Sequence, residues 1–259
     1  MNDPLNERQI LGLNFFVGDV WGAIARMSRG GLLVVPAAPA LKDISSNEEY
    51  REALMNADVA IADSAFMVLL WNLLERDSIR RLSGLKYLRV LLRQDDVRAR
   101  GNTLWVMAGS KSGEKNLIWL RSQGVEVPHE CVYYAPMYDG KIEDRQLIAR
   151  LHALRPRHVI ITVGGGTQEC LGLYLKRNLD YLPAIHCIGA AIAFLSGDQV
   201  RIPDWADRLY LGWLFRCISS PRRYIPRYLS APQLVPLLWH YRNELPALQE
   251  GEQPLTQAE

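Results

Sequence analysis

The chain is predicted to form an α/β fold, a mostly parallel sheet with helices on both faces. Three observations lead there. Short runs rich in Val, Ile and Leu recur along most of the 259 residues, and stretches of helical length separate them. The runs are continuously apolar rather than alternating, as strands buried on both faces are. Several of them end in glycine or small polar residues, at the positions where open α/β sheets carry their functional loops.

The elements follow in order. Residues 10–17 (ILGLNFFV) read as a first strand, after which Asp19 caps a helix through Met27. Residues 31–35 form a second strand, stopped by Pro36 and the small segment PAAPA. Asn47 caps a helix through Asn56, with Glu48 and Glu49 favourably placed in its first turn. Residues 58–62 make a short buried strand that ends at Asp63–Ser64, and an apolar helix over 65–74 follows. A helix over 85–98 leads to a strand over 103–108, then to the turn Gly109-Ser110-Lys111-Ser112-Gly113 and a helix over 114–123. Residues 125–127 are a weak strand and 145–154 a helix. The strand 159–163 runs into Gly164, Gly165 and Gly166, with a helix expected from Thr167, and the last strand is 185–189. No internal repeat interrupts this series.

Composition narrows the possibilities. A net charge of +2 gives no electrostatic reason to expect nucleic acid as a partner. Cys131, Cys170, Cys187 and Cys217 form no CxxC pair and share no spacing with the histidines, so no metal site, no disulfide framework and a reducing cytoplasm are expected. The polar start MNDPLNERQ has no signal-peptide apolar region, and no run reaches the ~18 apolar residues of a membrane span. Attachment to a membrane surface stays open. Composition shifts near residue 201, where arginine, tryptophan, tyrosine and proline accumulate. The expected division is an α/β domain over 1–200, an appendage over 201–244 and a disordered tail over 245–259.

Four strand ends converge as candidate site segments: Asp63–Ser64, Gly109–Ser110, Gly164–Gly166 and Gly189–Ala191. Asp63 has two readings, a general base at the mouth of the sheet and the cap of the following helix, and sequence alone favours the cap. The three glycines permit a sharp turn and a close backbone approach to a ligand, with the helix N-terminus beyond them suited to an anion. A plain strand-to-helix turn explains them equally well. Neither glycine segment has the spacing of a P-loop or a dinucleotide fingerprint, so a nucleotide triphosphatase of the P-loop type is rejected and an NAD enzyme is weakly supported. Arg216, Arg222, Arg223 and Arg227 suit a solvated basic face. Their interleaving with Trp213, Phe215, Tyr224 and Tyr228 suits instead a diphosphate whose other end is in a membrane.

These residues resemble the WecG/TagA/CpsF glycosyltransferases, glycosyltransferase family 26, from about Ile10 to Tyr228. The resemblance rests on Gly164-x-x-x-Gln168-Glu169, Ile188–Gly189, SGDQVRIPDW, and LGWLFRCISSPRR with Trp213, Arg216, Pro221 and Arg223 in step. Upstream, EEYREALMNADVAIAD places Asp63 on the family's aspartate.

The resemblance implies a Rossmann-like, metal-independent, inverting transferase. Its donor would be a nucleoside diphosphate sugar, commonly UDP-linked, and its acceptor a sugar on polyprenyl diphosphate at the cytoplasmic membrane face. It implies Asp63 as base, the C-terminal appendage as a source of arginines and of membrane association, and no cofactor; a homo-oligomer is compatible with it. Gly109, Ser110, Gly164, Gly165, Gln168, Glu169 and Gly189 are the expected nucleotide-sugar contacts, and Arg216, Arg223 and Arg227 the expected diphosphate ligands. The chain departs from the family pattern at Pro36 and Ala38 (usually Thr and Asn), Ser64 (Gly), Lys86 (acidic), Gly166 (Pro), Ala193 (Asp) and Gly212 (Glu). These departures motivate a second reading, a non-catalytic relative that binds a nucleotide sugar or lipid diphosphate within an assembly complex.

Overall fold

The structure is a computed structural model that describes residues 6–199, 206 and 212–249. Eight strands form one sheet: β1 (Glu7–Ile10), β2 (Leu13–Phe16), β3 (Gly31–Val34), β4 (Val59–Ile61), β5 (Thr103–Met107), β6 (Val132–Tyr134), β7 (His158–Ile161) and β8 (Ala184–Cys187). Their spatial order is β1-β2-β4-β3-β8-β7-β5-β6, and every neighbouring pair is parallel except β1–β2.

The helices are α1 (Val20–Met27), α2 (Ala38–Leu41), α3 (Glu48–Met55), α4 (Ala65–Glu75), α5 (Gly84–Leu91), α6 (Asp95–Arg98), α7 (Ser110–Ser122), α8 (Arg145–Leu154), α9 (Thr167–Asn178) and α10 (Ala191–Ser196). Among the described residues three more helices near the C-terminus are α11 (Gly212–Ser219), α12 (Pro221–Leu229) and α13 (Leu234–Tyr241). This is the expected fold class.

Successive strand residues face opposite sides of the sheet, and both sides are buried. Leu32, Val34, Leu104, Val106, Val159, Ile161 and Ile185 pack with α3, α4, α8 and α9. Leu33, Val59, Ile61, Trp105, Met107 and Ile160 pack on the other side with α1, α5, α6 and α7. Hence the apolar runs show no alternation.

Four local expectations change. The run 10–17 is a hairpin: Leu11 and Gly12 take φ of +51° and +74°, the left-handed pair of a two-residue turn, and Ile10 faces Leu13. The helix expected over 85–98 breaks into α5 and α6, with Gln94 extended between them. Residues 125–127 are not a strand, and the edge position beside β5 is taken by β6. Finally, α7 starts at Ser110, so most of the Gly109–Gly113 segment is helical. Gly113 fits there because a Cβ would lie 2.5 Å from Tyr134 Cε1.

The C-terminal segment returns to the body. α13 packs on α4, and the Leu11 and Gly12 amides donate to the carbonyls of Arg242 and Asn243. Within the stretch read as a tail, Leu245 sits against Gly12 and the Gln249 amide donates to the Ser45 carbonyl at 2.7 Å.

Candidate functional site

A cleft of about 900 Å³ lies at the carboxyl ends of the parallel strands, roofed by α11 and α12. Strand direction alone puts it there, because the loops after β3, β4, β5, β7 and β8 all open on one edge.

Asp63 follows β4 and lines this cleft. It does not cap α4: the Ser64 hydroxyl accepts the Met67 amide at 3.2 Å and is the cap. Asp63 is thereby released for other contacts. Its Oδ1 accepts Arg81 Nη2 at 3.1 Å and the Gly84 amide at 3.2 Å, and Arg81 Nε donates to its carbonyl. Among the described residues Oδ2 has no hydrogen-bond partner, and 26% of the side chain is exposed. A carboxylate held at one oxygen and open at the other is oriented to accept a proton from within the cleft.

The glycine turn forms another part of the lining. Gly164 and Gly165 line the cleft, and a Cβ at Gly164 would meet nothing within 4 Å. Gly166, at φ +93°, caps α9, and its amide donates to Glu169 Oε2 at 2.7 Å. Gln168 Nε2 donates to Glu169 Oε1 at 2.9 Å, while Gln168 Oε1 accepts the Gly189 amide at 2.5 Å. Gly189 has φ +58°, a conformation that suits glycine. The buried pair Gln168–Glu169 therefore ties the loop after β7 to the loop after β8. Of the two, Gln168 also reaches the cleft.

After β5, the cleft is lined by Ala108, Ser112 and Asn116, with Gly109 and Ser110 outside the lining. Lys111 is exposed.

Arg216 enters from the roof. Its guanidinium carbon lies 4.5 Å from the Phe194 ring centroid, and Nη1 donates to the Tyr228 hydroxyl at 3.0 Å. Its Nε is buried with no partner among the described residues, an N–H available to a ligand oxygen. The side chains of Arg223 and Arg227 lie outside the described residues, although both positions are on α12.

Sequence reasoning missed Arg81, which only the fold brings to Asp63. It also missed Asp198, another cleft carboxylate, which Ser112 and Lys115 hold in place. The Ser83 cap of α5 was the available signal for Arg81, since it ends the preceding loop beside β4. Among the described residues no group of three His, Cys, Asp or Glu side chains is placed to hold a metal ion.

Fold and cleft together define an α/β protein with its candidate site at the carboxyl edge of a parallel sheet, where the Asp63 carboxylate and the glycine turn line one cleft. The chain belongs to the glycosyl transferase WecG/TagA/CpsF family, whose model matches residues 8–247. Two relatives are each described as an N-acetylglucosaminyldiphosphoundecaprenol N-acetyl-beta-D-mannosaminyltransferase. The one from Bacillus spizizenii is 23% identical over 238 residues, covering 88% of this chain and 89% of the relative. The one from Bacillus subtilis is 26% identical over 198 residues, covering 76% and 73%. No helix among the described residues is long and apolar enough to cross a membrane.

Proposed function

We propose that this glycosyltransferase moves a sugar from a UDP-linked donor to a glycan carried on polyprenyl diphosphate. It would act with inversion and without a metal ion, in bacterial envelope or exopolysaccharide assembly. The names of the two relatives support the lipid-diphosphate acceptor and an N-acetylhexosamine as the transferred sugar. The observation that carries the reading is the Asp63 carboxylate in the cleft, anchored through Oδ1 and open at Oδ2.

In a single displacement the acceptor hydroxyl oxygen bonds to the anomeric carbon while the bond from that carbon to the diphosphate oxygen breaks. Asp63 Oδ2 takes the hydroxyl proton, and the electron pair leaves with the nucleoside diphosphate. Arg216, with Arg223 and Arg227 as proposed partners, neutralises the leaving group, which is the role a metal ion would otherwise fill. The glycine turn makes room for the donor between these groups. The body over 1–200 supplies the base and the donor pocket, and the appendage over 201–244 supplies the arginines and brings the protein to the inner face of the cytoplasmic membrane.

Asp63→Asn keeps the shape and removes the proton acceptor. With excess chelator present, transfer is expected to fall by about 10²–10⁴-fold while UDP binding by calorimetry persists. Undiminished turnover would remove Asp63 from the mechanism.

A second reading has one structural observation behind it. Ala38 and Ala193 line the cleft where the family pattern has polar side chains, which favours a binding protein without turnover. Donor hydrolysis or sugar transfer by the purified chain excludes it.

A further inference from the structure

One end of the cleft carries a carboxylate that the proposed chemistry does not use. Asp198 follows α10 and lines the cleft together with Ser112, Asn116 and Gln199. Its Oδ2 accepts the Ser112 hydroxyl at 2.6 Å, and its Oδ1 accepts Lys115 Nζ at 2.9 Å, both from α7. The Ser112 hydroxyl and the Lys115 ammonium hold this carboxyl below the usual carboxylate range. Two of about four acceptor sites on the carboxylate are thus occupied, and the side chain is 22% exposed. It is ionised, held in one orientation and still able to accept.

Position limits what it can accept from. Asp63 leaves β4, α10 leaves β8, and α7 leaves β5. Those strands stand two and four places from β4 in the sheet, roughly 10–19 Å at ~4.8 Å per strand. A nucleotide sugar with its anomeric carbon at Asp63 extends its diphosphate past the glycine turn and brings its nucleoside to this end. Phosphate oxygens are repelled by a carboxylate. A vicinal diol, by contrast, offers two O–H donors at a spacing that suits one carboxylate. The transferred sugar also carries vicinal hydroxyls, but with its anomeric carbon at Asp63 it stays at the other end, so the diol that reaches this end is the ribose's.

We propose that Asp198 binds the ribose diol of the donor and makes the cleft selective for ribonucleotides. The proposal rests on the nucleotide-sugar reading above. It also returns a carboxylate to a region where Ala193, one turn earlier on α10, has lost one relative to the family pattern.

The test measures UDP and 2′-deoxy-UDP binding by calorimetry on the full chain. The wild-type protein is expected to prefer UDP by about tenfold or more, the effect of one hydrogen bond to a charged group. Asp198→Asn, which is isosteric, is expected to weaken UDP binding and bring the ratio close to one. Lys115→Ala breaks the same link between α7 and α10 without removing the acceptor, and is expected to keep the preference.

Equal binding of the two nucleotides by wild type, or an unchanged preference in Asp198→Asn, overturns the assignment and leaves the transferase reading intact. Loss of preference in Lys115→Ala as complete as in Asp198→Asn also overturns it, because Asp198 then acts only as a strut. Failure of wild type to bind either nucleotide overturns both readings.

Discussion

Two carboxylates of the cleft and a third beneath its glycine turn differ in role because they differ in partners. Asp63 is held through one oxygen, Asp198 is held through both but retains open acceptor sites, and Glu169 is buried. Glu169 receives the Gly166 amide on one oxygen and the Gln168 amide on the other. Through these two bonds it helps to position the loops after β7 and β8. Glu169→Ala would leave two donors without their acceptor and uncap α9, at a cost of about 2–3 kcal/mol. Urea unfolding is expected to show that loss, and activity to fall with it, because Gln168 would no longer be fixed against Gly189. Glu169→Gln, which keeps one acceptor, is expected to lose about half as much. The cap that Glu169 supplies was not legible in the sequence, because Gly166 lacks the hydroxyl of a capping box. Nor was the role of its neighbour: a glutamine that bridges two loops 21 residues apart looks the same in sequence as one that touches a ligand.

At the level of elements, the strands buried on both faces were legible because burial leaves an unbroken apolar run. The departures have equally local causes. The β1–β2 hairpin has no polar turn to announce it, since Leu11 is buried under the returning C-terminal segment. β6 is only three residues long and pairs on one side only. Least legible is the link between β7 and β8, where Ile160 faces His186 in register. His158 Nδ1 lies 3.2 Å from His186 Nε2, the Tyr87 hydroxyl lies 3.0 Å from His186 Nδ1, and His158 Nε2 lies 3.0 Å from Asp96 Oδ2. With both imidazoles neutral, Tyr87 donates to His186, His186 to His158, and His158 to Asp96, so every polar atom is matched. Burial pushes both histidines below the ordinary value, and the neighbouring His158 adds to the effect on His186. The folded chain keeps them neutral where the unfolded chain protonates them. Their contribution to stability is therefore present above the unfolded value of about 6.5 and is lost as pH falls below it. Each proton bound only by the unfolded chain costs about 1.4 kcal/mol per pH unit there. Unfolding free energies measured between pH 8 and 5 are expected to fall with that sign, and His186→Phe to flatten the slope. A slope unchanged in the variant would remove the pair as its origin.

On the scale of the whole molecule, the cleft is shared between the α/β body and a C-terminal roof that is bound to it at separate points. Arg216 lies over Phe194, the Tyr224 hydroxyl donates to Gln199 at 2.8 Å, and α13 packs on α4. Leu69, Trp213, Ile225 and Leu229 line the cleft and are exposed, and Leu73 on α4 and Ile218 on α11 are exposed on the same helices. If the acceptor is lipid-linked, as proposed above, these exposed apolar side chains suit a face laid against a bilayer, with the cleft opening toward the headgroups. Deleting residues from 201 onward is expected to abolish both vesicle flotation and transfer, but it also uncovers α4, so unfolding alone would produce that result. Ile218→Glu with Leu229→Glu separates the causes, because the two side chains are 73% and 72% exposed and support little of the core. Burying each at a membrane is worth about 1.5–3 kcal/mol, so flotation with anionic vesicles is expected to fall tenfold or more. Transfer to a lipid-linked acceptor should fall in parallel, while transfer to a short-chain, water-soluble acceptor analogue and the melting temperature stay close to wild type. Equal loss on both acceptors would mean that these residues serve the cleft itself rather than the membrane.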